Sequence, residues 1–174
     1  MVKQSLRAAV LVEQQYQEME VWYPVYRLRE AEMEVLLVGP EAGHPYPSKL
    51  GYPAKADRAA KECSADEFDL VIIPGGFAPD FIRRSEAMLK LVRQMDQKGK
   101  LIAAICHGPW VLCSTGSLKD KRCTCFFAIK DDVQNAGATY VDEPVVRDGQ
   151  LITSRKPDDL PIFMKTILRA LGRD

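Results

Sequence analysis

Short apolar strands alternating with helical segments predict an α/β fold: a doubly wound, mostly parallel sheet with helices on both faces, in a single domain. Three observations carry this expectation. The chain opens strand–helix–strand with a helix of crossover length, which requires a right-handed crossover and therefore parallel pairing. Asp69 to Pro74 and Leu101 to Ile105 are near-continuous apolar runs, the pattern of strands covered on both faces. The 174 residues contain no repeat, low-complexity tract or linker, and they suit one domain that buries roughly 70% of the surface its unfolded chain exposes.

Leu6 to Val12 is the first strand. It leads into an amphipathic segment from about Met19 to Ala31, where Met19, Trp22, Tyr23, Tyr26 and Leu28 recur mostly at helical intervals. Met33 to Val38 is the second strand. Gly39 to Pro53, rich in Gly and Pro, reads as a surface excursion carrying a short hairpin arm. Ser64 caps a helical turn before Phe68, and the strand Asp69 to Pro74 ends in Gly75 and Gly76. Ser85 caps a helix through about Lys98, and Leu101 to Ile105 is followed by an apolar helix to Gly116. Cys123 to Phe126 reads as a strand, and Lys130 to Asn135 as a short helix closed by Gly137. Tyr140 to Val146 and Leu151 to Thr153 read as strands around an Asp148-Gly149 turn, before a final helix from Asp158 to Leu171. The sum is a sheet of flavodoxin-like style. Ligands of such sheets bind outside the carboxyl ends of the strands, where the Gly75-Gly76 loop and Cys106 both fall.

Lysine plus arginine equals aspartate plus glutamate at 24 each, so the charge balance gives no footprint for nucleic acid or an anionic membrane. The longest apolar runs fall far short of the roughly 20 residues of a membrane span, and Met1 to Arg7 lacks a secretory apolar region, so a cytoplasmic protein is expected. Five cysteines form no regular framework, which favours reduced thiols. Cys123 and Cys125 share one side of the expected strand, but the pair has no second CxxC or nearby histidine, so no metal is expected.

The most informative stretch is KLIAAICHGPWVLCSTG, residues 100–116. Ala104, Ile105, Cys106, His107 and Gly108 fit the nucleophile-elbow pattern of small, any, nucleophile, any, small, with cysteine in place of serine. A nucleophile at the tip of a tight strand-to-helix turn sits in a strained backbone, and its flanks two residues away must be small for strand and helix to pass. Such a turn also aims N–H groups and the positive helix end at the sulfur, from which a lowered thiol pKa is expected. The alternative is a structural cysteine, because free cysteine is among the most buried residues.

The α/β-hydrolase, papain and amidotransferase types of hydrolase place their histidine well downstream of the nucleophile. Here no histidine follows His107. That leaves His107 itself, the distant His44, or acidic partners; His44, in the Gly/Pro-rich excursion, also reads as a solvated loop residue.

The strings IIPGG (Ile72 to Gly76) and AICHGP (Ala104 to Pro109) resemble the PfpI-like superfamily of intracellular proteases, glutathione-independent glyoxalases, protein deglycases and general stress proteins. So do EMEVWYP (Glu18 to Pro24), IKDDVQNAGA (Ile129 to Ala138) and TSRKPDDLP (Thr153 to Pro161). The resemblance implies Cys106 as nucleophile, assisted by His107, with Glu20 reaching the sulfur from the first helix. Without it, Glu20 is an ordinary helix-face carboxylate. Beside a thiolate in an apolar pocket, like charge and desolvation would both raise the pKa of Glu20, fitting it to donate and shuttle a proton. The resemblance further implies an oxyanion hole from the backbone N–H groups of Gly76 and His107, and a pocket that includes Gly75, Trp110 and Phe126. Asp80 matches an acidic residue that, in the protease-like oligomers, enters the neighbouring subunit's site. Trp110 stands where those members often carry glutamine, and Phe126 where some relatives place a tyrosine.

The function implied is a cofactor-free enzyme that adds the Cys106 sulfur to small reactive carbonyls such as methylglyoxal or glyoxal, with deglycation as the same chemistry on a larger substrate. Two alternatives stand beside it: an intracellular cysteine peptidase, and a redox-sensing protein in which Cys106 is oxidised to sulfinate and held by Glu20. The expected partners are a small aldehyde substrate and a second copy of the chain in a symmetric homo-oligomer, with an isologous contact near residues 77–84.

Overall fold

The computed structural model describes residues 6–173, so most of the opening segment weighed above, residues 1–5, lies outside it together with Asp174. Seven strands form the main sheet: β1 (Arg7–Leu11), β2 (Glu34–Gly39), β5 (Arg58–Ala59), β6 (Leu70–Ile73), β7 (Leu101–Ile105), β10 (Val145–Asp148) and β11 (Leu151–Ser154). Two pairs stand apart from it, β3 (Pro45–Pro47) with β4 (Pro53–Lys55), and β8 (Arg122–Cys123) with β9 (Thr139–Tyr140). The helices are α1 (Glu18–Glu30), α2 (Ala78–Ile82), α3 (Glu86–Gln97), α4 (Pro109–Thr115), α5 (Lys130–Asn135) and α6 (Leu160–Ala170).

The sheet order is β10-β11-β7-β6-β1-β2-β5, and every pairing is parallel except β10 with β11. This is the flavodoxin-like, doubly wound arrangement. Every residue of β6 and β7 is buried, as their unbroken apolar runs require for strands covered on both faces. On one face α1 packs against α6, and on the other α3 and α2 both pack against α4. The amphipathic α3 buries Met88, Leu89, Leu91, Val92 and Met95 against this core. No helix among the described residues is long and apolar enough to cross a membrane.

From β1 the chain moves to β2 on one side, whereas β6 lies on its other side, so the strand order reverses between β1 and β6. The crevice at such a reversal opens beyond the carboxyl ends of the strands. The segments that leave β1, β6 and β7 there are residues 12–17, Gly75-Gly76 and Cys106, and Tyr16 bridges to Gly76.

The hairpin arm of the 39–53 excursion is present as β3 and β4, and Ser64 makes a capping box with Glu67. Three local expectations are corrected. Of the expected strand Cys123 to Phe126 only Cys123 pairs with another strand, together with Arg122 before it; Thr124 instead donates its N–H to Thr153 Oγ1, and Phe126 its N–H to the Cys106 carbonyl, which draws the segment toward the elbow. The expected strand from Tyr140 to Val146 is two strands, β9 and β10, parted where Pro144 cannot donate to a ladder. Ser85 holds the extended conformation that precedes α3, but its side chain makes no capping bond.

Candidate active site

Cys106 directly follows β7 and adopts φ +62°, a left-handed conformation that is costly for a residue with a side chain and is held only because its surroundings over-determine it. The restraints are visible. The Cys106 N–H donates to the Ser154 carbonyl at 3.0 Å, its carbonyl accepts from Phe126 at 2.9 Å, and the Gly108 N–H donates to Ile105 at 2.8 Å. A Cβ on Gly108 would lie 2.5 Å from the Ile73 carbonyl oxygen and 2.8 Å from that of Ile105, which is why the second flank of the elbow is small.

The Cys106 side chain is nearly buried, and its Sγ lies 3.2 Å from His107 Nδ1. The backbone N–H groups of His107 and Gly76 both act on the sulfur. Gly76, at φ +72°, can take this place because a Cβ there would meet the Gln15 carbonyl oxygen at 2.4 Å. The His107 ring stacks on Phe126, with centroids 5.0 Å apart, and meets the edge of Trp110 at 5.1 Å. Burial, with a smaller contribution from the charge of Lys49, holds its imidazole below the ordinary pKa and therefore neutral near pH 7.

Glu20 projects from the first turn of α1 and is fully buried. Its Oε2 accepts the Gly75 N–H at 2.7 Å, its Oε1 has no hydrogen bond, and the side chain with which it interacts is Cys106. Burial pushes the carboxyl up to about 8, against the weaker opposing effects of the Gly75 N–H, Cys106 and Lys49. At neutral pH it is a neutral acid beside the sulfur.

The expectation of a lowered thiol pKa is corrected. Burial, and then the nearness of the Glu20 carboxyl, push Cys106 up to about 12, outweighing the His107 and Gly76 N–H groups. The Cys106 side chain therefore rests as a thiol, with His107 Nδ1 at 3.2 Å as the neutral base beside it and Glu20 as the neighbouring acid.

Cys106, His107, Glu20, Gly76 and Phe126 line a common cavity of about 390 Å³. Gly75 lies behind it, donating to Glu20, and Trp110 supports the outer edge of His107 without lining the cavity. Asp80, on α2, is ion-paired with Arg84 and is not part of the cavity of its own chain. His44 lies apart, packed on Tyr46 at 4.6 Å. Three polar lining residues have no counterpart in the sequence reading: Gln15, Gln17 and Lys49. Gln15 and Gln17 follow β1 at the carboxyl edge, a position that the fold class alone marks as ligand-facing. Lys49 arrives from the 39–53 excursion and carries no local signal.

All five cysteines are free, and no group of three or more His, Cys, Asp or Glu among the described residues is placed to hold a metal ion. Burial raises the Cys113 and Cys123 thiols, keeping them protonated.

Residues 6–170 match the model of the DJ-1/PfpI family. A deglycase of Pyrococcus abyssi is 39% identical over 166 residues, covering 95% of this chain and 99% of that one. A Bacillus subtilis protein named as a candidate cysteine protease, YraA, is 39% identical over 167 residues, covering 96% and 99%. Among solved structures, a two-domain protein of Anabaena variabilis with DJ-1/ThiJ/PfpI-like and ferritin-like domains superposes with a TM-score of 0.95 at 44% identity. The match covers 97% of this chain and 48% of that one, so the chain spans about half of that protein.

Proposed function

Because this chain belongs to the DJ-1/PfpI family, we propose that it is a cysteine-dependent enzyme that converts small reactive carbonyls to hydroxy acids without glutathione. The observation that carries the reading is the pairing of Cys106, between a neutral imidazole and two backbone N–H groups, with a buried acid that is protonated at pH 7. The name of the Pyrococcus abyssi relative, a deglycase, agrees with carbonyl chemistry.

With methylglyoxal, the Cys106 sulfur bonds to the aldehyde carbon while its proton passes to His107 Nδ1, giving a hemithioacetal. The developing oxyanion lies against the N–H groups of Gly76 and His107 and takes its proton from Glu20. Removal of the proton from the former aldehyde carbon and return of a proton to the neighbouring carbon oxidise the first and reduce the second, leaving a lactyl thioester. Water attacks that thioester, the C–S bond breaks, and the thiol regains its proton. The sum is methylglyoxal plus water giving lactate, with no external oxidant. A raised carboxyl pKa suits Glu20 to both donating and recovering protons within this range.

The test is lactate formation from methylglyoxal in glutathione-free buffer, run beside casein and fluorogenic-peptide assays. The reading expects lactate with little peptide cleavage. Efficient peptide cleavage without lactate would overturn it in favour of a cysteine peptidase.

A further inference from the structure

The cavity is far larger than methylglyoxal and has one ammonium or guanidinium in its wall among the described residues, that of Lys49. Lys49 is exposed and forms no ion pair among those residues, yet its charge acts on both Glu20 and His107. It is held there by an elaborate clamp. Glu18, in the first turn of α1, accepts a hydrogen bond from Ser48 Oγ and another from the Leu50 N–H at 2.8 Å, the residues on either side of Lys49. The Lys49 N–H donates to the Tyr16 carbonyl at 3.0 Å. The Tyr16 phenol donates to the Tyr52 carbonyl at 2.8 Å, and Tyr52 in turn donates its N–H to Ser48 Oγ at 2.9 Å. The second Glu18 oxygen is buried without a partner. This bonding fixes the backbone from which Lys49 reaches the wall of a cavity whose buried acid is neutral at pH 7 and does not repel an anion.

We propose that Lys49 is a specificity-determining residue that favours carbonyl substrates bearing a carboxylate, and that Glu18 is the positioning residue that holds it at the cavity. This rests on the carbonyl reading above and narrows its substrate class to anionic aldehydes, of which glyoxylate is the simplest. The neutral amides of Gln15 and Gln17 add hydrogen-bonding capacity without opposing charge.

The test separates this inference from turnover. Cys106 is alkylated with iodoacetate and with iodoacetamide, reagents of similar size that differ in charge, and the ratio of the two second-order rates is taken for each variant. Lys49→Met is expected to lower the iodoacetate-to-iodoacetamide ratio about fivefold, and Lys49→Arg to keep it, as for one cation near the reacting atom in a partly aqueous site. Glu18→Gln is expected to lower the ratio although Lys49 is intact, and the wild-type ratio should shrink in about 0.5 M salt. The same variants are assayed for turnover of glyoxylate against glyoxal, where Lys49→Met should raise KM for the anion. An unchanged ratio in Lys49→Met overturns the proposal, and an unchanged ratio in Glu18→Gln overturns its positioning part. A ratio that falls as expected in a protein that makes no lactate from methylglyoxal overturns the carbonyl reading alone.

Discussion

Replacing Glu20 by Gln tests the buried acid through stability, independently of any substrate. Burial moves this carboxyl from 4.5 to about 8, so the folded chain retains a proton that the unfolded chain releases. A carboxyl raised in this way contributes its full stability at low pH and loses it as pH rises toward the folded value, and each pH unit of the interval corresponds to about 1.4 kcal/mol. The group therefore costs the wild type roughly 3 kcal/mol between about pH 4 and pH 7, and about 5 kcal/mol once the pH passes 8. Gln has the same shape, its amide oxygen can accept the Gly75 N–H now bound at 2.7 Å, and it never ionises. Urea unfolding of both proteins from about pH 4 to pH 8 is the assay. The two should have similar stability at the acid end, with Glu20→Gln gaining roughly 3 kcal/mol on the wild type by pH 7. Acids held low in the native state, such as Glu18 and Asp66, are common to both and cancel in the difference. A difference that stays constant across this range would refute the account of Glu20 as a proton-retaining acid.

The same acid sets the pH dependence of turnover: kcat/KM for methylglyoxal should fall with loss of one proton above about pH 8, and Glu20→Gln should be slow and lack that limb. A rate that climbs steadily through pH 9 would instead assign control to thiol ionisation. Gly108→Val should fail to fold or lose several kcal/mol in urea unfolding, because a β-branched side chain meets two carbonyl oxygens inside 3 Å; a soluble, fully active variant would contradict the elbow geometry. If Asp80 serves a neighbouring subunit's cavity, Asp80→Ala should lower turnover and mixing it with Cys106→Ala chains should restore part of it, since a mixed interface unites one intact cysteine with one intact aspartate. A monomer by light scattering at assay concentration, or no rescue on mixing, would remove Asp80 from the site.

The elbow was legible because its determinants are local: an apolar strand, small flanks and a turn within five residues. The parallel sheet was legible for a similar reason, since strands buried on both faces must be apolar throughout. Glu20 stood out only through the family resemblance, because nothing in the string EMEVWYP distinguishes a buried helix carboxylate from a solvated one. The sequence suggests backbone dipoles that would acidify Cys106, whereas burial and the approach of Glu20 are tertiary properties and outweigh them. Lys49 was invisible for the same physical reason: its turn reaches the cavity through Glu18 and Tyr16, more than 30 residues away along the chain. Around residues 122–146, pairing is set by the pull of Phe126 onto the Cys106 carbonyl and by the missing N–H of Pro144, so strand-like composition yielded only two-residue strands there.

The central claim is that the Cys106 sulfur carries the substrate. Single-turnover reaction of the protein with isotopically labelled methylglyoxal, quenched in acid at intervals and followed by peptide mass spectrometry, tests it most directly. The account predicts that label appears on the peptide containing Cys106 and then disappears at the rate at which lactate accumulates, with neither event in Cys106→Ser. Lactate formed at the wild-type rate by Cys106→Ser, or formed while Cys106 remains unlabelled, would contradict it.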